Sequence, residues 1–172
     1  MPLGETMYTL KQLTVEGIER AMQKAERYRL LGEPCEAESI CMDVLQVDPD
    51  HHHARVTLIL ALTDQFRRDL SRVAEAAKMA GNLKDEYERL YYSGVVAERH
   101  GKAQLEVGGP SSNDYANRAL REAMEWYGRA EAIRPPGDDN AILRWNTCAR
   151  AISRRGFQEP RDMARPALFM TE

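Results

Sequence analysis

His51, His52 and His53 form the densest run of metal-binding side chains in the 172-residue sequence. Consecutive residues on a helix point about 100° apart, so three in a row cannot converge on one ion. A zinc site also wants i,i+4 spacing and further ligands. A polar helix start is the plainer expectation. The 3 cysteines, Cys35, Cys41 and Cys148, are odd in number and include no CxxC pair. That argues against a disulfide framework or a structural zinc site. Cys41 reads as a small buried hydrophobe. No Ser/His/Asp order is legible. Gly108-Gly109 runs into Pro110 and reads as a turn, not a phosphate loop. The adjacent carboxylates Asp138 and Asp139 sit in a Gly/Pro loop, where capping the next helix is their expected task. His100, beside Gly101, is expected at a helix C-terminus, where its positive form suits the dipole. The residues thus point to no catalytic site, no metal and no cofactor. An enzyme or a metal carrier remains the distant alternative.

Charge narrows the partners. Lys and Arg number 24 against 27 Asp and Glu, a net charge of −3, so nucleic acid is not an expected partner. Arginines thicken near the end at Arg144, Arg150, Arg154, Arg155, Arg161 and Arg165. They could draw an acidic segment, although a solvated helix face with a tail gives the same pattern. The most apolar stretch, Val56–Leu62, is far shorter than the roughly 20 residues of a membrane span. No cleavable leader is visible at the N-terminus. The expectation is a cytoplasmic protein with no membrane partner.

The elements that must position any site all read as helices. Residues 1–13 form a lead-in, and Thr14 is placed to cap a first helix. Ile18, Ala21, Met22, Ala25 and Tyr28 recur at helical spacing, and Gly32 ends the run. Pro34 can open the next helix, since its first position needs no amide donor. Ala37, Ile40, Cys41, Val44 and Leu45 give that helix one apolar face, and Pro49 ends it. Asp50 is placed to cap a third helix over 52–65. A fourth holds Leu70, Val73, Ala74 and Ala77. A fifth runs from Leu83 through Ala97 to Gly101 or a turn beyond. A loop over 108–113 leads to a long sixth helix with Ala116, Leu120, Ala123, Met124, Tyr127 and Ala130. Pro135-Pro136-Gly137 breaks it. The seventh helix carries Ile142, Trp145, Cys148, Ala149 and Ile152 and stops at Gly156. A tail over 157–172 is expected to be mobile. No run alternates with period two, so the fold class is all-α.

These helices resemble tetratricopeptide repeats, whose pattern of about 34 residues reads W-x2-L-G-x2-Y, then A-x3-F, then P. Ala21, Lys24, Ala25 and Tyr28 fall on the first-helix positions. Ala37, Cys41 and Pro49 fall on the second-helix positions. Arg55 and Leu90 follow at the repeat period. Leu90, Ser93, Gly94 and Ala97 renew the first-helix signature. Ala123, Tyr127, Ala130 and Pro135 renew the second, displaced by an insertion around 102–118. Trp145, Cys148, Ala149, Ile152 and Gly156 open a fourth first helix. Lys24 and Ala21 depart from the pattern, and the second pair lacks most of it. The resemblance covers 14–156. It implies a right-handed superhelical stack of antiparallel helix pairs, about three of them, plus a C-terminal capping helix.

The resemblance also implies a function: a non-catalytic scaffold or adaptor holding a partner's peptide or helix in a concave groove lined by first helices. The positions implied are Met22, Gln23, Glu26 and Arg29; Val56, Leu60 and Thr63; Tyr91, Tyr92, Val95, Glu98 and Arg99; and Asn146 and Arg150. Tyr91 and Tyr92 lead, because Tyr and Arg are frequent hot-spot anchors. Met22 and Glu26 stand where the chaperone-binding subtype needs lysine and asparagine, which argues against a chaperone C-terminal carboxylate as the ligand. The alternative is a homodimer, with Met124 and Trp126 on the long sixth helix as an apolar patch.

Overall fold

The computed structural model describes residues 8–159. The first seven residues of the expected lead-in, and the tail from 160 with Pro160, Arg161, Arg165 and Pro166, lie outside the described residues. Among the described residues there are seven α-helices, one 3-10 turn and no strand. No described helix is long and apolar enough to cross a membrane. The chain divides between Gln65 and Phe66 into two compact units.

Unit 1 opens on a 3-10 turn, Val15–Gly17. The Thr14 side chain makes no capping bond, and its carbonyl instead accepts from the Gly17 amide at 3.0 Å. α1 follows as Ile18–Leu30 and buries Ile18, Met22 and Ala25, one stripe at helical spacing. Gly32 ends it at φ +76°, a conformation that side chains with a Cβ rarely adopt. α2, Pro34–Val47, starts on its proline and buries Ala37, Cys41 and Val44. α3, His52–Thr63, is capped by His51, whose Nδ1 accepts from the Ala54 amide at 3.1 Å. Asp50, the expected cap, is turned aside and accepts from Arg55 at 2.9 Å. The three helices pack on one another. Side chains then lock them: Arg29 donates to Asp64 at 2.8 Å, and Gln65 donates to Glu38 at 2.6 Å.

Unit 2 contains α4 (Arg72–Gly81), α5 (Glu86–Val107), α6 (Ser112–Ala132) and α7 (Asn140–Arg155). Successive helices pack, α5 with α6 most extensively. Asp85 caps α5 by accepting from the Glu88 amide at 2.9 Å. The insertion expected around 102–118 proves to be mostly helix: 102–107 lengthens α5 and 112–118 opens α6, with a short turn between them. Two glycines let the helices approach. A Cβ on Gly101 would lie 3.2 Å from the Ala116 carbonyl oxygen, and one on Gly94 would lie 2.5 Å from the Tyr127 ring. Asp138, not Asp139, supplies a carboxylate at the start of α7, accepting from the Asn140 amide at 2.9 Å. α7 ends at Gly156, φ +64°. Beyond it the first tail residues are tied down: Phe157 donates to the Ile152 carbonyl, and the Gln158 carbonyl accepts from Asn117 at 2.7 Å.

Candidate functional site

The densest arrangement of functional side chains lies in unit 2, where α5, α6 and α7 meet. Tyr87 and Tyr91 are one helical turn apart on α5, so their rings stack at 6.0 Å between centroids. Tyr92 meets the Tyr91 ring edge-on at 5.1 Å, and Tyr127 from α6 lies 5.9 Å from Tyr91 on another side. Tyr87, Tyr91 and Tyr92 are half-buried, while Tyr127 is wholly enclosed. The exposed parts of these rings are therefore held in place by aromatic neighbours.

Beneath the rings sits a charge. Glu98 is fully buried, and its carboxylate accepts from the Tyr127 hydroxyl at 2.7 Å, from Arg144 of α7 at 3.2 Å and from Lys102 one turn along α5. Burial is the largest influence on Arg144 and opposes its charge, but Glu98, Tyr91 and Tyr127 together more than offset it, so the guanidinium is held above its ordinary value. Arg144 also lies against the Tyr91 hydroxyl. Burial first, and then Glu98, pushes the Tyr127 hydroxyl well above the usual tyrosine range. Burial likewise raises Tyr87, whose hydroxyl faces the Asp138 carboxylate and the Ala141 amide without a well-formed hydrogen bond. Helix α7 thus meets the tyrosine face through Arg144 in its second turn.

The structure places the expected groove residues unevenly. Met22, Val56, Thr63, Val95 and Glu98 are buried. This corrects their assignment as lining positions, because an enclosed side chain offers nothing to a ligand arriving from solvent. Val95 and Glu98 are instead core of α5, and Thr63 spends its hydroxyl on the Leu60 carbonyl. Leu60, Arg99 and Asn146 are half-buried, and Arg150 is exposed. Glu26 is exposed and pairs with His53 at 2.7 Å. Gln23 donates to Glu19 at 3.2 Å, and Arg29 is committed to Asp64. Of the whole set, Tyr91 and Tyr92 are the pair brought into ring contact. Tyr87, Lys102, Tyr127 and Arg144 complete this cluster and were not among the residues expected at a site. The i,i+4 pairs Tyr87/Tyr91 and Glu98/Lys102 were the available signal.

The other chemistry-bearing residues act locally. Among the described residues no three His, Cys, Asp or Glu side chains are grouped as a metal site would need. His51 caps α3 and His53 pairs with Glu26. His100 is not at a helix C-terminus: α5 runs on to Val107, and His100 is half-buried beside Gln104 at 3.1 Å. Burial holds its imidazole below the ordinary value, with Glu122 opposing, so the neutral ring is favoured. The proposed dimer patch is partly covered by its own helix, since the Arg129 guanidinium lies 4.7 Å over the Trp126 ring.

The cysteines give a direct test of packing. Burial pushes the Cys41 and Cys148 thiols up to about 12, whereas Cys35 is exposed. Thiolate is the reactive form. A disulfide reagent at pH 8 is therefore expected to titrate Cys35 rapidly in the native protein. The other two should react only after denaturant is added, and rapid titration of all three without it would contradict this packing. No protein-family model, curated protein or solved structure matches the chain with significance.

Proposed function

We propose that this chain is a non-catalytic protein-interaction module of tetratricopeptide type, and that the tyrosine face of unit 2 holds a partner's peptide or helix. The Tyr87–Tyr91–Tyr92 array carries the reading. Its rings offer large, partly exposed area, and neighbouring rings already fix their orientation. Binding on such a surface loses little side-chain entropy, which is where much affinity is otherwise spent. Arg99, Asn146 and Arg150 supply polar and cationic groups from the same unit. The repeat reading is supported by Gly94, Ala97, Ala123, Tyr127 and Ala130, all buried at positions where the repeat pattern wants close helix contact.

The test is capture from cell extract with the tagged chain beside its Tyr91→Ala/Tyr92→Ala variant, read by quantitative mass spectrometry. The variant is first shown to keep its helical circular dichroism. Loss of two central aromatic anchors is expected to reduce specific partners about ten-fold or more. Equal recovery by a folded variant would remove the tyrosine face from the function.

A further inference from the structure

A second surface lies in unit 1. Arg20, Lys24 and Arg27 follow one another along α1 at spacings of four and three, so they form a single row on the helix. They frame an open depression of about 450 Å³ that Gln23, Tyr28 and Leu31 complete. None of the three cations has a carboxylate within ion-pair distance among the described residues. The acids of α1 are engaged elsewhere: Glu26 faces His53 and Glu19 accepts from Gln23. Lys24 lies 5.8 Å over the Tyr28 ring, a contact that steers the ammonium along the helix. At the C-terminal end of the row the side chains turn apolar, with Leu30 88% and Leu31 64% exposed.

Such a row works against the helix. Like charges at i,i+4 and i,i+3 repel, and exposed leucines gain nothing from burial. In a chain of net charge −3 the cations are not a general excess but a local concentration. Carboxylates from outside would relieve the repulsion, and an outside apolar group would cover the leucines. The length of the row sets the size of the ligand. Arg20 to Leu31 spans about 16 Å at the helical rise, which an extended chain covers in about five residues.

We propose that the Arg20–Lys24–Arg27 row of α1 docks an extended acidic peptide of about five residues, whose last side chain is apolar and lies on Leu31. The carboxylates take the place of the partners that the row lacks among the described residues. The apolar residue fixes direction, because only the Leu31 end can receive it. This surface belongs to unit 1, and the proposal does not rest on the tyrosine face of unit 2.

The probe is a fluorescein-labelled peptide of four glutamates followed by glycine and leucine, followed by anisotropy at low and moderate salt. The full chain is expected to bind it, more weakly as salt rises. Arg20→Gln/Lys24→Gln/Arg27→Gln is expected to lose about ten-fold in affinity, the sum of three exposed charge contacts. Leu31→Ser is expected to lose several-fold with the salt dependence unchanged, and a probe ending in serine should mimic that loss. Tyr91→Ala/Tyr92→Ala should bind the probe as the parent does, which separates this surface from the tyrosine face. The substitutions at Arg20, Lys24, Arg27 and Leu31 are at exposed positions of α1 or its end, and circular dichroism confirms the fold of every variant. Equal binding by the parent and the triple variant would overturn the proposal. So would capture of vesicles containing phosphatidylserine, or of single-stranded RNA, by a chain that ignores the peptide.

Discussion

Replacing Glu98 with alanine is expected to destabilise unit 2 by about 3 kcal/mol, the lower end of what breaking a buried ion pair costs. The carboxylate is the shared acceptor for Tyr127, Arg144 and Lys102, so its removal orphans three donors at once. The Tyr127 hydroxyl suffers most, because it is enclosed and has no route to water. Arg144 and Lys102 keep side-chain exposures of 32% and 43%, so both can rehydrate, which holds the cost below the top of the range. Tyr127→Phe removes one donor and leaves the carboxylate its two cations. That change should cost only about 1 kcal/mol. Both tryptophans, Trp126 and Trp145, belong to unit 2, so their fluorescence in a urea titration reports this unit. A Glu98→Ala midpoint within error of the parent would mean that the buried carboxylate does not tie α5, α6 and α7 together.

Gly94→Ala has a sign that two opposed terms decide. On helix propensity alone, alanine should gain about 1 kcal/mol over glycine. The added Cβ, however, would lie 2.5 Å and 2.7 Å from two carbons of the Tyr127 ring. That ring cannot retreat, since it is fully enclosed and its hydroxyl is held by Glu98. Overpacking of this kind costs up to about 3 kcal/mol, so a net loss of about 2 kcal/mol is expected. Gly128 on α6 is the matched control, with open space where its Cβ would stand. Gly128→Ala should therefore stabilise by about 0.5–1 kcal/mol. The same fluorescence-monitored urea titration measures both. Stabilisation by Gly94→Ala would contradict the close approach of α5 and α6.

What could be read from the sequence and what could not divide along physical lines. Helix bodies were legible because apolar spacing repeats, as at Ile18, Met22 and Ala25 or Ala116, Leu120 and Ala123. The glycine stops at Gly32 and Gly156 and the proline start at Pro34 were legible because they act through backbone geometry alone. Caps were less so. Thr14, Asp50 and Asp139 all have suitable side chains, yet none caps its helix, because a neighbour or an extra turn wins the position. The site was half legible. Tyr91 and Tyr92 stood out as adjacent aromatics. Their dependence on Arg144, far along the chain, could not, since ion pairs across helices leave no periodic trace. Glu98 is the sharpest case: a charged residue at a groove-like position lies in the core, because a tyrosine and two cations from three helices converge on it.

The central claim, that the tyrosine face holds another protein, is tested most directly by placing a photo-crosslinking phenylalanine analogue at position 92 and irradiating cells. The exposed position 125 on α6 serves as the control. The account predicts a discrete adduct, heavier than the chain by the mass of a different protein, at position 92 and not at 125. An adduct at twice the chain's mass, or the absence of any adduct at 92, would contradict it.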